Sequence, residues 1–282
     1  MPRPYPYNIV TAFSKGPFNG NPGAAVFIDE NLETDILMKI AANLNQPALS
    51  VIGPQIPSAD KTTAAFNIRW FAPTFHEIPL CGHGTMVAAR AVFERGLVTD
   101  SVEVIEFHAQ SGGVVRAWKS GKDSIEIRLP SGTLTDVSSE ESPKIAAAVS
   151  KAFGRDVAIN YMGVGSKGFE NYVVDAVALL GTGYTVNVIT TASSNGEELF
   201  VSRMFAPAVI SPPDYEDQVC GSAHCLTGPY WHKKNGLASD QAFSAKMVSS
   251  RGGDLNLFWD QKASVISLKG ETFVMASGEI YV

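Results

Sequence analysis

The sequence predicts an α+β protein of two similar lobes, and three observations carry that prediction. One phrase occurs twice, about half a chain apart. Arg69-Trp70-Phe71-Ala72-Pro73 reaches Cys81-Gly82-His83-Gly84 eight residues beyond its proline, and Arg203-Met204-Phe205-Ala206-Pro207 reaches Cys220-Gly221-Ser222-Ala223 thirteen beyond. The 282 residues suit two domains of roughly 130 to 150 residues. Strand-like and helix-like stretches come mixed, without the regular βαβ alternation of a doubly wound sheet. The plainest reading is a duplicated unit whose two copies face each other across one site.

In chain order, residues 7 to 13 alternate as a strand, and a loop ending in Gly20-Asn21-Pro22-Gly23 leads to a second strand at Ala24 to Ile28. Leu32, Ile36, Leu37, Ile40 and Ala41 recur at helical spacing, and Asn43-Leu44-Asn45-Gln46-Pro47 stops that helix. A short strand, Leu49 to Ile52, follows, and Ala64 to Phe71 alternates into the first phrase, whose proline ends it by removing a ladder donor. Met86 to Phe93 reads as an apolar helix. Val102 to Phe107, Gly113 to Trp118 and Ser124 to Leu129 read as strands.

The polar run from Pro130 to Pro143 is the expected linker, dividing an N-terminal lobe, residues 1–130, from a C-terminal lobe, residues 131–282, whose last strand is free to return to the first. A helix at Lys144 to Phe153 opens the second half. Strands are expected at Ala158 to Gly163, Tyr172 to Val177, Tyr184 to Ile189 and Glu198 to Phe205, with Val173 to Leu180 readable also as a short helix. An apolar helix behind Cys220 ends in Lys233-Lys234-Asn235-Gly236, with basic residues in its last turn. Four more short strands close the chain.

Composition narrows the function. With 45% hydrophobic and 18% charged residues the chain should fold around real cores. A net charge of −6 without a run of Lys or Arg leaves nucleic acid no electrostatic footprint, so the expected partner is a small molecule. No stretch approaches the roughly 18 to 20 apolar residues of a membrane helix, and Met1-Pro2-Arg3-Pro4 lacks the apolar core of a secretory signal. No membrane partner and a cytoplasmic location are therefore expected. Three cysteines, two of them in matching Cys-Gly contexts, read as thiols rather than a disulfide framework.

The repeated phrases have a chemical logic. Each strand ends at proline, and each Gly-bearing turn then opens an apolar helix. The first turn of a helix leaves backbone N–H groups without partners, and the macrodipole places about half a positive charge there. Two such ends facing each other can hold a substrate and the negative charge it develops. Cys81, His83, Cys220 and Ser222 occupy these turns, where a thiol pKa is expected to fall from about 8.5. Asp217, five residues before Ser222, adds a carboxylate for proton transfer.

Blander readings stand beside these. A Cys-Gly pair often only packs, and Asp217 and Ser222 are also helix-capping residue types. His224 and Cys225 are metal-ligand types. No second spaced pair lies near them, and adjacent helical side chains diverge by about 100°, so no metal is predicted. Arg69 and Arg203 read as structural anchors.

Four separated segments resemble one family. Phe18-Asn19-Gly20-Asn21-Pro22-Gly23-Ala24-Ala25-Val26, the run from Arg69 through Glu77 to Gly82-His83-Gly84-Thr85, Glu216-Asp217-Gln218-Val219-Cys220-Gly221-Ser222-Ala223-His224, and Ser250-Arg251-Gly252-Gly253 are similar, in this order, to motifs of the phenazine-biosynthesis PhzF-like isomerases. That family shares the two-lobed fold of diaminopimelate epimerase. The resemblance implies two lobes of mixed and antiparallel sheet, each wrapped around a central helix, with the site in the cleft between them. It also implies a homodimer and catalysis with neither metal nor organic cofactor.

Carried over residue by residue, the family's catalytic His, Asp and Ser become His83, Asp217 and Ser222. Asn21, Gly82, Gly84, Thr85, Gly221 and Ala223 become substrate-binding positions. The family's proton-shuttling glutamate falls on Gln46, a neutral amide that takes up no proton at ordinary pH, and Thr11 stands where Asp is common.

The leading expectation is a cofactor-independent isomerase or cyclase acting on a small carboxylated or carbonyl-bearing metabolite by proton transfer or polarisation, with Gln46 orienting the substrate. A rearrangement needing only positioning fits the loss of the glutamate. One alternative uses Cys81 and Cys220 as the thiol pair of an epimerase or racemase, since diaminopimelate epimerase has a Cys leading each such turn. Others are a small-molecule-binding protein without turnover, suggested by Gln46, and a structural module.

Overall fold

The computed structural model describes residues 2–29, 31–58, 60–165, 179–184, 186–206, 210 and 215–282. The expected strand at 172–177, most of the alternative helix at 173–180, and Pro207 of the second phrase lie outside these residues.

The first lobe opens with a hairpin, β1 (Pro4–Ala12) and β2 (Asn21–Phe27). Helix α1 (Thr34–Leu44) then crosses to β3 (Leu49–Ile56), which lies parallel to β2 and antiparallel to β4 (Thr63–Ala72). The apolar spacing of α1 has a plain consequence. Leu37, Ile40 and Ala41 turn inward onto Val26, Leu49, Val51 and Phe71, and Asn45 ends the helix in the left-handed region, φ 47°.

β5 (His76–Ile78) folds back on the end of β4, and α2 (Gly82–Glu94) follows. β6 (Val104–Ala109) lies parallel to β4, and β7 (Val114–Lys119) and β8 (Ser124–Pro130) continue as an antiparallel meander. Helix α2 begins inside the Gly-His turn, earlier than its apolar run suggests. Most of its residues are buried, so it has no polar stripe and reads as a core helix.

In the second half a short pair, β9 (Leu134–Asp136) with β10 (Gly163–Gly165), flanks α3 (Ser142–Phe153). β11 (Asn187–Ala192), β12 (Phe200–Phe205), the two-residue β13 (Glu216–Asp217), α4 (Gly221–Lys234), β14 (Phe243–Met247), β15 (Gly253–Asp260) and β16 (Val265–Tyr281) complete the chain. Among the described residues the sheet order of this half is β16-β15-β14-β12-β11, with α4 against β15, β16 and β8. No described helix is long and apolar enough to cross a membrane.

β16 joins the two halves. Its residues 265–271 pair with β8 and 265–269 with β15, while 272–281 pair with β1. The order β1-β2-β3-β4-β6-β7-β8-β16 therefore returns to β1 and closes a barrel around α2. The result is two lobes of mixed sheet, each holding a helix, as expected.

Two expectations need correction. The chain ends in three strands, not four short ones, and the last is 17 residues long. Gly270 and Gly278 lie inside β16. A β-carbon on Gly270 would stand 3.1 Å from Phe13 Cα, and one on Gly278 3.0 Å from the Tyr7 ring, so these glycines mark close approach within a strand. Ala158 to Gly163 is irregular up to Met162. Among the described residues it pairs with no strand before Gly163, and Tyr161 stacks on Tyr230 with ring centres 4.9 Å apart.

Candidate active site

The repeated phrase folds into twin hairpins. On β4 and β5, Phe71 pairs with Glu77 and Trp70 with Ile78; on β12 and β13, Phe205 pairs with Glu216 and Met204 with Asp217. Arg69 grips Glu77 with two bonds of 2.8 and 2.7 Å, and Arg203 grips Glu216 with two of 2.5 and 2.6 Å. Each guanidinium also lies 4.9 Å from the ring two residues on, Phe71 or Phe205. These bidentate pairs fix the backbone of each hairpin, so both arginines are anchors.

Four residues past each glutamate comes a cysteine, Cys81 or Cys220, at the N-cap of α2 or α4. Counted from the glutamates the two copies agree, which the unequal distances from the prolines conceal. In this alignment Asp217 matches Ile78, and Ser222 matches His83. The shared spacing from Glu to Cys-Gly was the signal available in the sequence for Ile78.

The two helix ends meet. A β-carbon built on Gly82 would stand 3.7 Å from Gly221 Cα, and one on Gly221 3.8 Å from Gly82 Cα. Beside this contact lies a cavity of about 80 Å³, with Cys81, Gly82 and His83 from one lobe and Asp217, Cys220, Gly221 and Ser222 from the other. Pro47, Ala72, Ile78, Leu80, Met204, Ala206 and Ile210 give it apolar walls. Of these, Ala72, Met204 and Ala206 lie in the repeated phrase and Ile78 in the shared spacing from Glu to Cys-Gly, whereas nothing in the sequence marks Pro47, Leu80 or Ile210 as wall residues.

Burial decides the ionisation of the site. The Cys81 thiol accepts from the Gly84 amide at 3.4 Å and lies 3.5 Å from His83 Nδ1, while Cys220 Sγ lies 3.3 Å from Ser222 Oγ. Desolvation nevertheless pushes Cys81 up to about 12, helped by the charge of Asp217, and raises Cys220 well above the ordinary thiol range for the same reasons. The expected lowering by the helix ends is thus overturned: a buried thiolate loses more hydration than the terminal amides return.

His83 is buried, its Nε2 has no hydrogen-bond partner among the described residues, and burial alone lowers it to about 4, so it is neutral at pH 7. Asp217 is raised to about 6, chiefly by burial, against hydrogen bonds from Cys220, Val219 and Asn21 that favour its charged form. Asn21 Nδ2 donates to Asp217 Oδ1 at 2.6 Å, and the Val219 amide donates to the same oxygen at 3.1 Å.

The remaining expected positions fall in three groups. Gly82, Gly221 and Ser222 line the cavity. Gly84, Thr85 and Ala223 sit in the first turns behind them. Ser50 Oγ donates to the Gly84 carbonyl at 2.9 Å and Thr85 Oγ1 to the Cys81 carbonyl at 2.7 Å, which stiffens the first turn. Gln46 does not line the cavity. Its amide donates to the Leu44 carbonyl at 3.2 Å, and Pro47 takes the wall position. His224 is buried in the second lobe, its Nδ1 2.7 Å from the Cys220 carbonyl and its ring stacked on Phe200.

Comparison with known proteins agrees with this architecture. A Pseudomonas aeruginosa protein named an uncharacterized isomerase is 30% identical over 279 residues, covering 97% of both chains. A phenazine biosynthesis PhzC/PhzF protein from Clostridium difficile, of known structure, superposes with a TM-score of 0.75 at 26% identity, over 99% of this chain and 100% of that one. A hydroxyproline epimerase from Agrobacterium vitis shares the fold at 13% identity, with a TM-score of 0.58 over 99% of this chain and 91% of its own. The relative named as an isomerase supports an isomerase-type function. The model of the PhzC-PhzF family, phenazine biosynthesis-like proteins, matches residues 10–278, and the chain belongs to that family.

Proposed function

We propose that this protein is a cofactor-independent, PhzF-like isomerase that relocates a proton on a small carboxylated or carbonyl-bearing metabolite, with Asp217 as the group that carries it. The observation behind this reading is the inequality of the twin hairpins: Asp217 stands in the second where Ile78 stands in the first. Moving a proton between two positions on one face of a substrate needs one titratable group on that face. Inverting a stereocentre by proton transfer needs a group on each face.

Asp217, raised to about 6, is largely ionised at neutral pH and close enough to neutrality to return a proton. It takes a proton from carbon beside the carbonyl or carboxyl group, and the electrons of that C–H bond move toward the oxygen. First-turn amides of α2 and α4, which have no acceptor within their helices, hold the developing charge. Neutral His83 offers a ring nitrogen to the same oxygen. In a substrate with a β,γ double bond the electrons of the broken C–H bond form a dienolate. Asp217 delivers a proton to the γ-carbon as the double bond shifts to the α,β position, so that no atom is gained or lost. Gln46, outside the cavity, has no part in the transfer.

The test is the pH dependence of kcat/KM with a substrate found by screening. An acid limb near pH 6, and a loss on the order of 10²–10⁴-fold in Asp217→Asn, are expected. An acid limb and rate unchanged in Asp217→Asn would rule the reading out.

A second reading has one observation in its favour. Cys81 and Cys220 cap the two opposed helices from different lobes, as a thiol pair on two faces of one carbon would. It requires one thiolate, which burial opposes at both positions.

A further inference from the structure

The Arg-Gly-Gly turn has no place in the chemistry above, yet it is bonded to the residues around Asp217. Arg251 lies between β14 and β15 and reaches across to the loop before β2. Its Nε donates to the Gly20 carbonyl at 2.8 Å, and its Nη2 to the carbonyls of Pro17 and Asn19 at 3.2 Å each. Asn19 Nδ2 returns a bond to the Arg251 carbonyl at 3.2 Å, and the Gly20 amide one to Gly252 O at 2.7 Å. Gly20 takes φ 70° and Gly252 φ 65°, a conformation suited to glycine.

The next residue is Asn21. Besides Asp217 Oδ1, its Nδ2 reaches the Val219 carbonyl at 3.0 Å. Between Asp217 and Val219 sits Gln218. Its Oε1 accepts from Ser250 Oγ at 3.1 Å and from the Arg251 amide at 3.2 Å, and its carbonyl accepts from Ser249 Oγ at 2.6 Å. The bonds therefore close a ring, from Arg251 through Gly20 and Asn21 to Asp217, and back through Gln218 to Arg251.

We propose that Asn21, held by Arg251, is a positioning residue for Asp217: it fixes one carboxylate oxygen so that the other is the one presented for proton transfer. Oδ1 already accepts from Asn21 and from the Val219 amide, which uses both of its lone pairs. A proton taken from substrate goes to Oδ2. Asn21 is fully buried, so bulk water cannot replace its amide. The other groups that act on this carboxylate are the Cys220 thiol, which hydrogen-bonds to it, the Cys81 thiol, and Glu216 beside it, paired with Arg203; neutral His83 and Ser222 face the same cavity.

The proposal rests on Asp217 as the proton-transfer group, but its test needs no substrate. In protein labelled with [4-¹³C]aspartate, the Asp217 carboxyl signal is identified by its loss in Asp217→Asn and followed against pH. Removing a donor to the charged form raises a carboxyl pKa, so Asn21→Ala should move the midpoint up by on the order of one pH unit. Arg251→Lys, which keeps the charge and loses the fork, should move it in the same direction by less.

Arg90→Gln is the control. That guanidinium serves Asp123 and Glu94, and its loss should leave the midpoint in place. A folded Asn21→Ala with the wild-type midpoint overturns the proposal. Should Asn21→Ala not fold, the isosteric Asn21→Asp decides. It sets two carboxylates at the 2.6 Å separation of the present bond, where they must share a proton, with one midpoint strongly raised. Two independent midpoints near the ordinary carboxylate range would overturn it. If Asp217→Asn instead keeps full activity, the catalytic reading fails while the ring's effect on the titration still stands.

Discussion

Gly82 and Gly221 bring two helix N-termini into contact, each glycine's absent β-carbon lying within 3.8 Å of the other's Cα. Both positive helix ends thereby point at one small volume, and neither helix supplies a charged side chain in its first turn. The glycines of the two turns serve different ends. Gly84 is a packing position: a β-carbon there would lie 2.8 Å from Trp70 Cδ1 and 3.1 Å from both Cys81 Sγ and Ser50 Oγ.

Gly84→Ala should therefore cost about 1–3 kcal/mol of stability by overpacking a fully enclosed turn. Gly82→Ala meets nothing closer than 3.4 Å and should leave the melting temperature within a few degrees while intruding between the helix ends. Thermal denaturation of the two variants checks this ordering, and equal destabilisation would contradict it.

Stability should depend on pH in a way that isolates Asp217. Its folded pKa, about 6, exceeds the ordinary 3.8, so it favours the folded state below pH 3.8 and that contribution is lost as pH rises through 6. His83 and His224 do the opposite. Lowered from 6.5 to about 4, they favour the folded state above pH 6.5, and the contribution is lost as pH falls toward 4. Each shift corresponds to about 3 kcal/mol at most. Asp217→Asn should be more stable than wild type at pH 7, with the difference shrinking toward pH 4. Urea denaturation at several pH values measures it; a difference independent of pH would contradict the raised carboxyl.

The thiols should be slow to react. With Cys81 pushed up to about 12 and Cys220 raised, little thiolate exists at pH 7, and both side chains are buried. Alkylation by iodoacetamide, followed by mass spectrometry, should be slower than that of a free cysteine peptide by at least an order of magnitude. Rapid alkylation of either, with parallel loss of activity, would favour the two-cysteine reading.

Restoring the family's glutamate should not restore a shuttle. The Gln46 amide donates to the Leu44 carbonyl and lies outside the cavity. Gln46→Glu replaces that donor with an acceptor and should cost about 1 kcal/mol of stability, with activity changed by much less than in Asp217→Asn. A large gain in turnover on Gln46→Glu would show that the wild-type position is catalytically impaired.

Much of this was legible in the sequence because the duplication is. The repeated Arg-x-Phe-Ala-Pro phrase and the paired Cys-Gly turns place Cys81, His83, Cys220 and Ser222 at one cavity before any coordinates are known. The return of the last strand to the first lobe was open in the sequence, but the 17-residue length of β16 and its pairing with β1, β8 and β15 were not legible, because pairing partners leave no local trace. Nor was the charge state of the thiols. Sequence shows a helix N-terminus, which lowers a thiol pKa, but not the depth of burial, which here outweighs it. The role of Arg251 was hidden for a similar reason: its partners are carbonyls some 230 residues away, and carbonyls carry no sequence signature.

The most direct measurement is solvent-proton exchange with wild type and Asp217→Asn in D₂O, using a panel of small carboxylic and carbonyl metabolites and mass detection of the products. Wild type should isomerise a substrate, with deuterium entering the product to the extent that Asp217 exchanges its proton with solvent before returning it. Asp217→Asn should lose conversion, with whatever incorporation accompanies it, by on the order of 10²–10⁴-fold. Conversion and deuterium incorporation that survive in Asp217→Asn, but vanish in Cys81→Ala or Cys220→Ala, would contradict Asp217 as the proton carrier and place the chemistry on the thiols.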